Sequence, residues 1–120
     1  TPIKSSAASD VYKRQILYIE CRDDDMSFEI INARMVKAYM QDKNAVLIDL
    51  RPQNEYLQGH VEGAVHMEMN TFEREIVRYD KTAVLIFYCD RGANSMIAAR
   101  RADEMGYAAK SVIGGYGAFG

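Results

Sequence analysis

Two short stretches, Ala45-Val46-Leu47-Ile48-Asp49-Leu50 and Ala83-Val84-Leu85-Ile86-Phe87-Tyr88, are apolar almost from end to end. A strand with one wet face alternates apolar and polar residues. A strand that is apolar throughout is covered on both faces, which is the habit of parallel sheets. Segments of helical spacing lie between these stretches and after them, so strands and helices alternate along the chain. The fold class expected is therefore α/β, with a central parallel sheet and helices on both faces. Ligands in such sheets gather at the C-terminal ends of the strands. Asp49-Leu50-Arg51, the segment after Tyr88, and Gly114-Gly115 all fall at such ends.

The remaining elements follow from local signals. Phe28 to Ile31 reads as a short strand. Asn32 suits the cap of a helix running to about Gln41, with Met35, Val36, Tyr39 and Met40 on one face. Pro52 suits the first turn of a short helix through Leu57, with Gly59 at its end. Gly63 to His66 is a further strand. Asn70 with Glu73 resembles a capping box, ahead of a stripe of Phe72, Ile76 and Tyr79. Ser95 to Met105 is predicted helical, with Ala98, Ala102 and Met105 inward and Gly106 as the stop. Lys110 to Ile113 is the last strand. The methionines read as core filler.

The first part of the chain has another character. Thr1 to Gln15 is polar, rich in Ser and Ala, and without periodicity, so it reads as a disordered leader, either a cloning or assembly scar or a native tail. It lacks the apolar segment of a secretory signal. Residues 16–120 are read as one domain, with Ile16 to Glu20 as an edge strand and Asp23-Asp24-Asp25 as a solvated turn. A chain of 120 residues with 48 % apolar content has room for one core. A net charge of −2 gives no general attraction to nucleic acid or to anionic membranes. No apolar run nears the roughly 20 residues that span a bilayer. The expected location is cytoplasmic.

Cys89 is the residue placed to react. It ends a buried strand and leads Asp90-Arg91-Gly92-Ala93-Asn94-Ser95 into a helix start. Backbone N–H groups of such a loop converge on one point, and a helix N-terminus adds partial positive charge. Environments of this kind favour a thiolate, the nucleophilic form of cysteine. The plainer reading is a buried structural cysteine. The chain has two cysteines, Cys21 and Cys89, and a reduced thiol at Cys89 is favoured over a disulfide. His60 and His66 stand apart from both, so no metal-ligand spacing is present and neither metal nor cofactor is expected.

Three segments together resemble the rhodanese-like sulfurtransferases. Ile48-Asp49-Leu50-Arg51 with Glu55-Tyr56 and Gly59-His60-Val61-Glu62-Gly63-Ala64 is similar to that family's first signature. Tyr88 to Ser95 is similar to its active-site segment, and Val112 to Phe119 to its closing Gly-Gly motif. The order and spacing agree over Phe28 to Phe119, although many relatives continue with a final helix.

The resemblance implies that Cys89 attacks the outer sulfur of a donor such as thiosulfate, becomes a persulfide, and passes the sulfur to cyanide or a thiol. Asp90, Arg91, Gly92, Ala93, Asn94 and Ser95 would form the substrate loop. Asp49, Arg51 and His60 would support it, with an Arg51–Glu55 pair fixing the first signature and Asp49 orienting nearby backbone. Tyr116 and Phe119 would form either a pocket wall or core. Partners would be small sulfur donors and acceptors, or a protein acting as either. Asp90, next to the nucleophile, and Asn94, where many relatives carry arginine, depart from the pattern and weigh against thiosulfate itself. Two rival readings are a sulfur carrier fed by a partner protein and a phosphatase or arsenate reductase of the same fold. The latter resemble Cys-x5-Arg, whereas the sixth residue after Cys89 is Ser95.

Overall fold

The computed structural model describes residues 28–119. The readings of Thr1 to Gln15, of Ile16 to Glu20, of Asp23 to Asp25 and of Cys21 lie outside them. Nine elements follow in order: β1 Glu29–Ile31, α1 Ala33–Tyr39, β2 Ala45–Asp49, α2 Gln53–Gln58, β3 Val65–His66, α3 Phe72–Ile76, β4 Val84–Tyr88, α4 Ala93–Glu104 and β5 Ala108–Val112. A 3-10 turn, Tyr116–Phe119, comes after them. The strands form one five-stranded sheet in the order β1-β5-β4-β2-β3. Every neighbouring pair is parallel.

The two apolar stretches are the central pair, in register from Ala45 opposite Val84 to Asp49 opposite Tyr88. Alternate residues face opposite sides of the sheet. Ile48, Leu85 and Phe87 pack with Phe72 and Ile76 of α3 and Ala98, Ala99 and Ala102 of α4. Leu47, Ile86 and Tyr88 pack with Val36 of α1, Val112 of β5 and, partly buried, Tyr116 and Phe119. Each large apolar side chain fully buried in this way contributes about 1.5–3 kcal/mol. The small residues of α4 let it lie close on the sheet.

Local details differ from the sequence reading in several places. The capping box at Asn70 and Glu73 does not form. A backbone turn carries Thr71 and Phe72 N–H groups onto the Glu68 carbonyl, so α3 starts at Phe72. The Thr71 hydroxyl donates to Glu75 instead. Helix α4 begins at Ala93 rather than Ser95, because Gly92 adopts φ +104° and turns the chain into the helix early. Strand β5 is Ala108–Val112 rather than 110–113, since pairing with β4 outweighs the weak strand preference of Ala108 and Ala109. Met35 and Met96 are exposed, so not all methionines fill the core, whereas Met67 does. No helix among the described residues is long and apolar enough to cross a membrane.

Candidate active site

Strands β2, β4 and β5 deliver their C-terminal ends to one edge of the sheet. Cys89 follows β4 directly. It is a free thiol, only 4 % exposed, yet it lines a pocket of about 240 Å³ together with Leu50, Arg51, Asp90, Arg91 and Asn94. The Gly92 N–H donates to Cys89 Sγ at 3.0 Å. Among the described residues it is the backbone donor seen on the sulfur. The N–H groups of Ala93, Asn94 and Ser95 lie in the first turn of α4 and have no intrahelical carbonyl to bond. Asp90, Arg91, Ala93 and Asn94 are exposed around the mouth.

Ser95 is placed differently. Its side chain is fully buried, with Oγ donating to the Gly92 carbonyl at 3.0 Å and sharing a 2.8 Å hydrogen bond with Ser111 of β5. It ties the loop to the sheet and does not face the pocket.

A second layer sets the loop from behind. The Asp49 carboxylate is wholly buried. It accepts from the Arg51 backbone N–H at 2.8 Å, from Arg51 Nη2 at 2.9 Å and from the Tyr88 hydroxyl at 2.6 Å. Arg51 also donates to the Gly59 carbonyl and lies over the Tyr116 ring, 3.8 Å from its centre. The expected Arg51–Glu55 pair is thus replaced by Arg51–Asp49, two residues apart and buried together. Asp49 raises the Arg51 pKa, chiefly through its hydrogen bonds. Burial, then the bond to Asp49, pushes the Tyr88 phenol well above its ordinary range.

The Asp90 carboxyl raises the Glu55 pKa, with desolvation adding to the effect and the Arg51 guanidinium opposing it. His60 is exposed and stacked on Tyr56 at 3.9 Å, its Nδ1 3.0 Å from the Tyr56 carbonyl. It is not among the residues that line the Cys89 pocket, and lines a second one with Val61, Tyr116 and Phe119.

Sequence reasoning missed the roles of Tyr88 and His66, and gave Glu55 a partner, Arg51, that the structure pairs with Asp49. Tyr88 read as core, but its hydroxyl bridges Asp49 and accepts from the Val61 N–H at 3.1 Å. His66 Nε2 meets the Arg51 carbonyl at 2.7 Å from the end of β3. A polar residue ending an apolar strand was the available signal for each of the first two.

The Gly-Gly segment closes the site. Tyr116 N–H donates to the Cys89 carbonyl at 2.7 Å. Gly115 has φ +68°, and a Cβ there would stand 2.2 Å from the Asp90 carbonyl oxygen and 2.4 Å from that of Cys89. Gly115→Ala is therefore expected to push the Cys89 loop outward, costing about 2 kcal/mol or more. A denaturation midpoint read beside sulfur-transfer rate checks this, and a variant as stable and active as the parent would refute it. Gly92 has room for a Cβ, its nearest neighbours being 3.6 Å away, so only backbone strain opposes substitution there.

A parallel α/β sheet with a cysteine loop at its C-terminal edge, closed by a glycine pair, is the architecture of rhodanese-like domains. The chain belongs to that family: the model of the rhodanese-like domain matches residues 32–120. It is 31 % identical to the sulfurtransferase-named protein YtwF of Bacillus subtilis over 87 residues, covering 72 % of this chain and 84 % of that one. It is 28 % identical to the thiosulfate sulfurtransferase GlpE of Coxiella burnetii over 78 residues, covering 64 % of this chain and 73 % of the relative. The fold matches a rhodanese-like domain protein from Staphylococcus aureus with a TM-score of 0.70 at 22 % identity, over 78 % of this chain and 92 % of that one. These likenesses identify a sulfurtransferase family and the substrates such families use in general, a sulfur donor and an acceptor.

Proposed function

We propose that the protein is a sulfurtransferase that carries sulfane sulfur as a persulfide on Cys89, taking it from a donor such as thiosulfate and giving it to a thiol or cyanide. The observation that supports this most is the Gly92 N–H on Cys89 Sγ at the floor of an open pocket. The same donor, with the first-turn N–H groups of α4, is suited to an anion on sulfur, either thiolate or persulfide. In the first half-reaction the Cys89 thiolate attacks the outer sulfur of thiosulfate. The donor S–S bond breaks, its electron pair leaves on sulfite, and a Cys89 persulfide remains. In the second, the acceptor attacks the outer sulfur and Cys89 thiolate is restored. No external oxidant or reductant is needed. Residues 16–120 would act as one domain, and a free thiol of this kind suits a reducing, cytoplasmic setting.

Incubation with thiosulfate or a persulfide donor is expected to add one sulfur atom to the Cys89 peptide, removable by a reductant and measured by intact mass. Sulfur mapped to Cys21 alone would overturn the reading. Steady turnover of small donors separates an enzyme from a carrier, which would load once and wait for its partner.

Arg91 is exposed at the mouth and among the described residues forms no ion pair. Arg91→Ala is expected to weaken transfer from an anionic donor more than from a neutral one. Initial rates against donor concentration at two ionic strengths test this. A charge pair at ~4 Å is worth about 4 kcal/mol at an effective dielectric of 20, and an exposed one only a fraction of that.

A further inference from the structure

We infer that Ser111 is a positioning residue for Cys89: with Ser95 it forms a buried hydroxyl relay, anchored in β5, that holds the Gly92 N–H on the thiol sulfur. Its place in sulfur transfer rests on reading Cys89 as the sulfur-carrying residue. Its effect on the thiol is open to test without that reading.

Three hydrogen bonds run end to end from the sheet to the sulfur. The Gly92 N–H donates to Cys89 Sγ at 3.0 Å. The Gly92 carbonyl accepts from Ser95 Oγ at 3.0 Å. Ser95 Oγ lies 2.8 Å from Ser111 Oγ. A hydroxyl has one proton to give. That of Ser95 goes to the Gly92 carbonyl, so Ser111 is the donor in the remaining bond and Ser95 the acceptor. Ser111 itself is 1 % exposed and stands in register with Ile30 of β1 and Phe87 of β4. A hydroxyl in such a place costs stability unless it is bonded. An alanine has nearly the same volume and needs no partner, so packing alone gives no reason for the hydroxyl.

Gly92 needs to be held. It has no side chain to limit its backbone, and it sits at φ +104°. Besides Ser95 Oγ, its carbonyl accepts from the Met96 N–H at 3.2 Å. Together these donors fix the plane of the Gly92–Ala93 peptide. That peptide is trans, so the Ala93 N–H points opposite to the carbonyl and out of the N-terminus of α4, where Ala93 lines the Cys89 pocket. In a chain of hydrogen bonds each bond polarises the next. By donating to Ser95, Ser111 makes Ser95 the better donor to Gly92.

The test follows alkylation of Cys89 by iodoacetamide in the full chain, read by peptide mass so that Cys21 is counted separately. Rates are taken on the rising limb of the pH profile, where the thiolate is the minor form. The proteins are the wild type, Ser95→Ala, Ser111→Ala, the double variant and Ser111→Thr, each with its thermal midpoint. The charged residues that line the pocket, Arg51, Asp90 and Arg91, are the same in all of them. An N–H bond to a charged sulfur is worth about 10- to 100-fold in thiolate population, and the rising nucleophilicity of the thiol takes back about half of that on a logarithmic scale. The rate should therefore fall about tenfold in Ser95→Ala and about threefold in Ser111→Ala. The double variant should be no slower than Ser95→Ala, because Ser111 acts through Ser95. Ser111→Thr keeps the hydroxyl and should restore most of the rate. A merely structural role would act with the opposite sign, since a loosened loop uncovers a thiol that is now 4 % exposed and speeds its alkylation. An unchanged or faster Ser111→Ala, a Ser111→Thr as slow as Ser111→Ala, or a double variant slowed by the product of the single effects would overturn the inference. If alkylation follows the expected order but no donor loads sulfur on Cys89, the functional reading falls and the positioning role stands.

Discussion

Cys89→Ser is expected to abolish sulfur uptake and to lower transfer by at least about a thousandfold, the scale on which removal of a covalent nucleophile acts. A serine hydroxyl is not ionised near neutral pH and forms no stable bond to a transferred sulfur. The fold should barely notice the change. Cys89 is 4 % exposed, and an Oγ in place of Sγ still accepts from the Gly92 N–H that now meets the sulfur at 3.0 Å. Stability is expected to move by no more than about 1 kcal/mol. Cys21→Ser should keep both adduct and rate. Mass mapping of the loaded protein, a denaturation curve and initial rates on all three proteins decide the matter. A Cys89→Ser protein that still turns over would remove the nucleophile from the proposed mechanism.

The second large effect concerns stability. Asp49→Ala leaves the 5 % exposed Arg51 guanidinium buried without its anion and strips the Tyr88 hydroxyl of its acceptor. Breaking one side of a buried pair costs about 3–5 kcal/mol, a large part of the roughly 5–15 kcal/mol that holds a domain together. At about 4–8 °C per kcal/mol for a small domain, the thermal midpoint should fall by on the order of 15 °C or more. Activity should fall as well, because the Arg51 backbone N–H bonds the same carboxylate and Arg51 lines the pocket. The control is the double variant Asp49→Ala, Arg51→Met. If the cost of the single change is an orphaned charge, removing that charge restores part of the loss. A double variant less stable than the single one would show that Arg51 matters through its packing on Tyr116 instead.

Chemical patterning carried much of this in advance. Two uninterrupted apolar runs demand cover on both faces, and the helical segments between them supply it, so the parallel sheet and its layers were legible. Cys89 was legible too, because an apolar strand followed at once by a Gly-containing loop and a helix start has few bland explanations. The boundaries were less so. Asn70 and Glu73 have the right identities for a capping box, but the Glu68 carbonyl reached the N–H groups first. Local composition does not reveal which of two competing acceptors the turn geometry brings closer.

The partners of the charged residues belong to tertiary structure alone. Glu55 stands four residues after Arg51, the natural spacing for a helical ion pair, yet Arg51 sits ahead of α2 and turns back to Asp49. Burial decides this: a fully buried carboxylate must be neutralised, and the nearest guanidinium is drawn to it. Glu55 makes no ion pair with Arg51 among the described residues, and its pKa is raised chiefly by Asp90, a residue 35 positions away in the chain, with Arg51 opposing. Gly115 is the clearest case. Its identity can be read from the chain, but its necessity rests on the Asp90 and Cys89 carbonyls lying where its Cβ would be. The chain itself thus determined the layered sheet and its reactive cysteine, since both follow from patterns of neighbouring residues. Packing decided which charges cancel and which face the pocket, since that depends on distances between strands far apart in sequence.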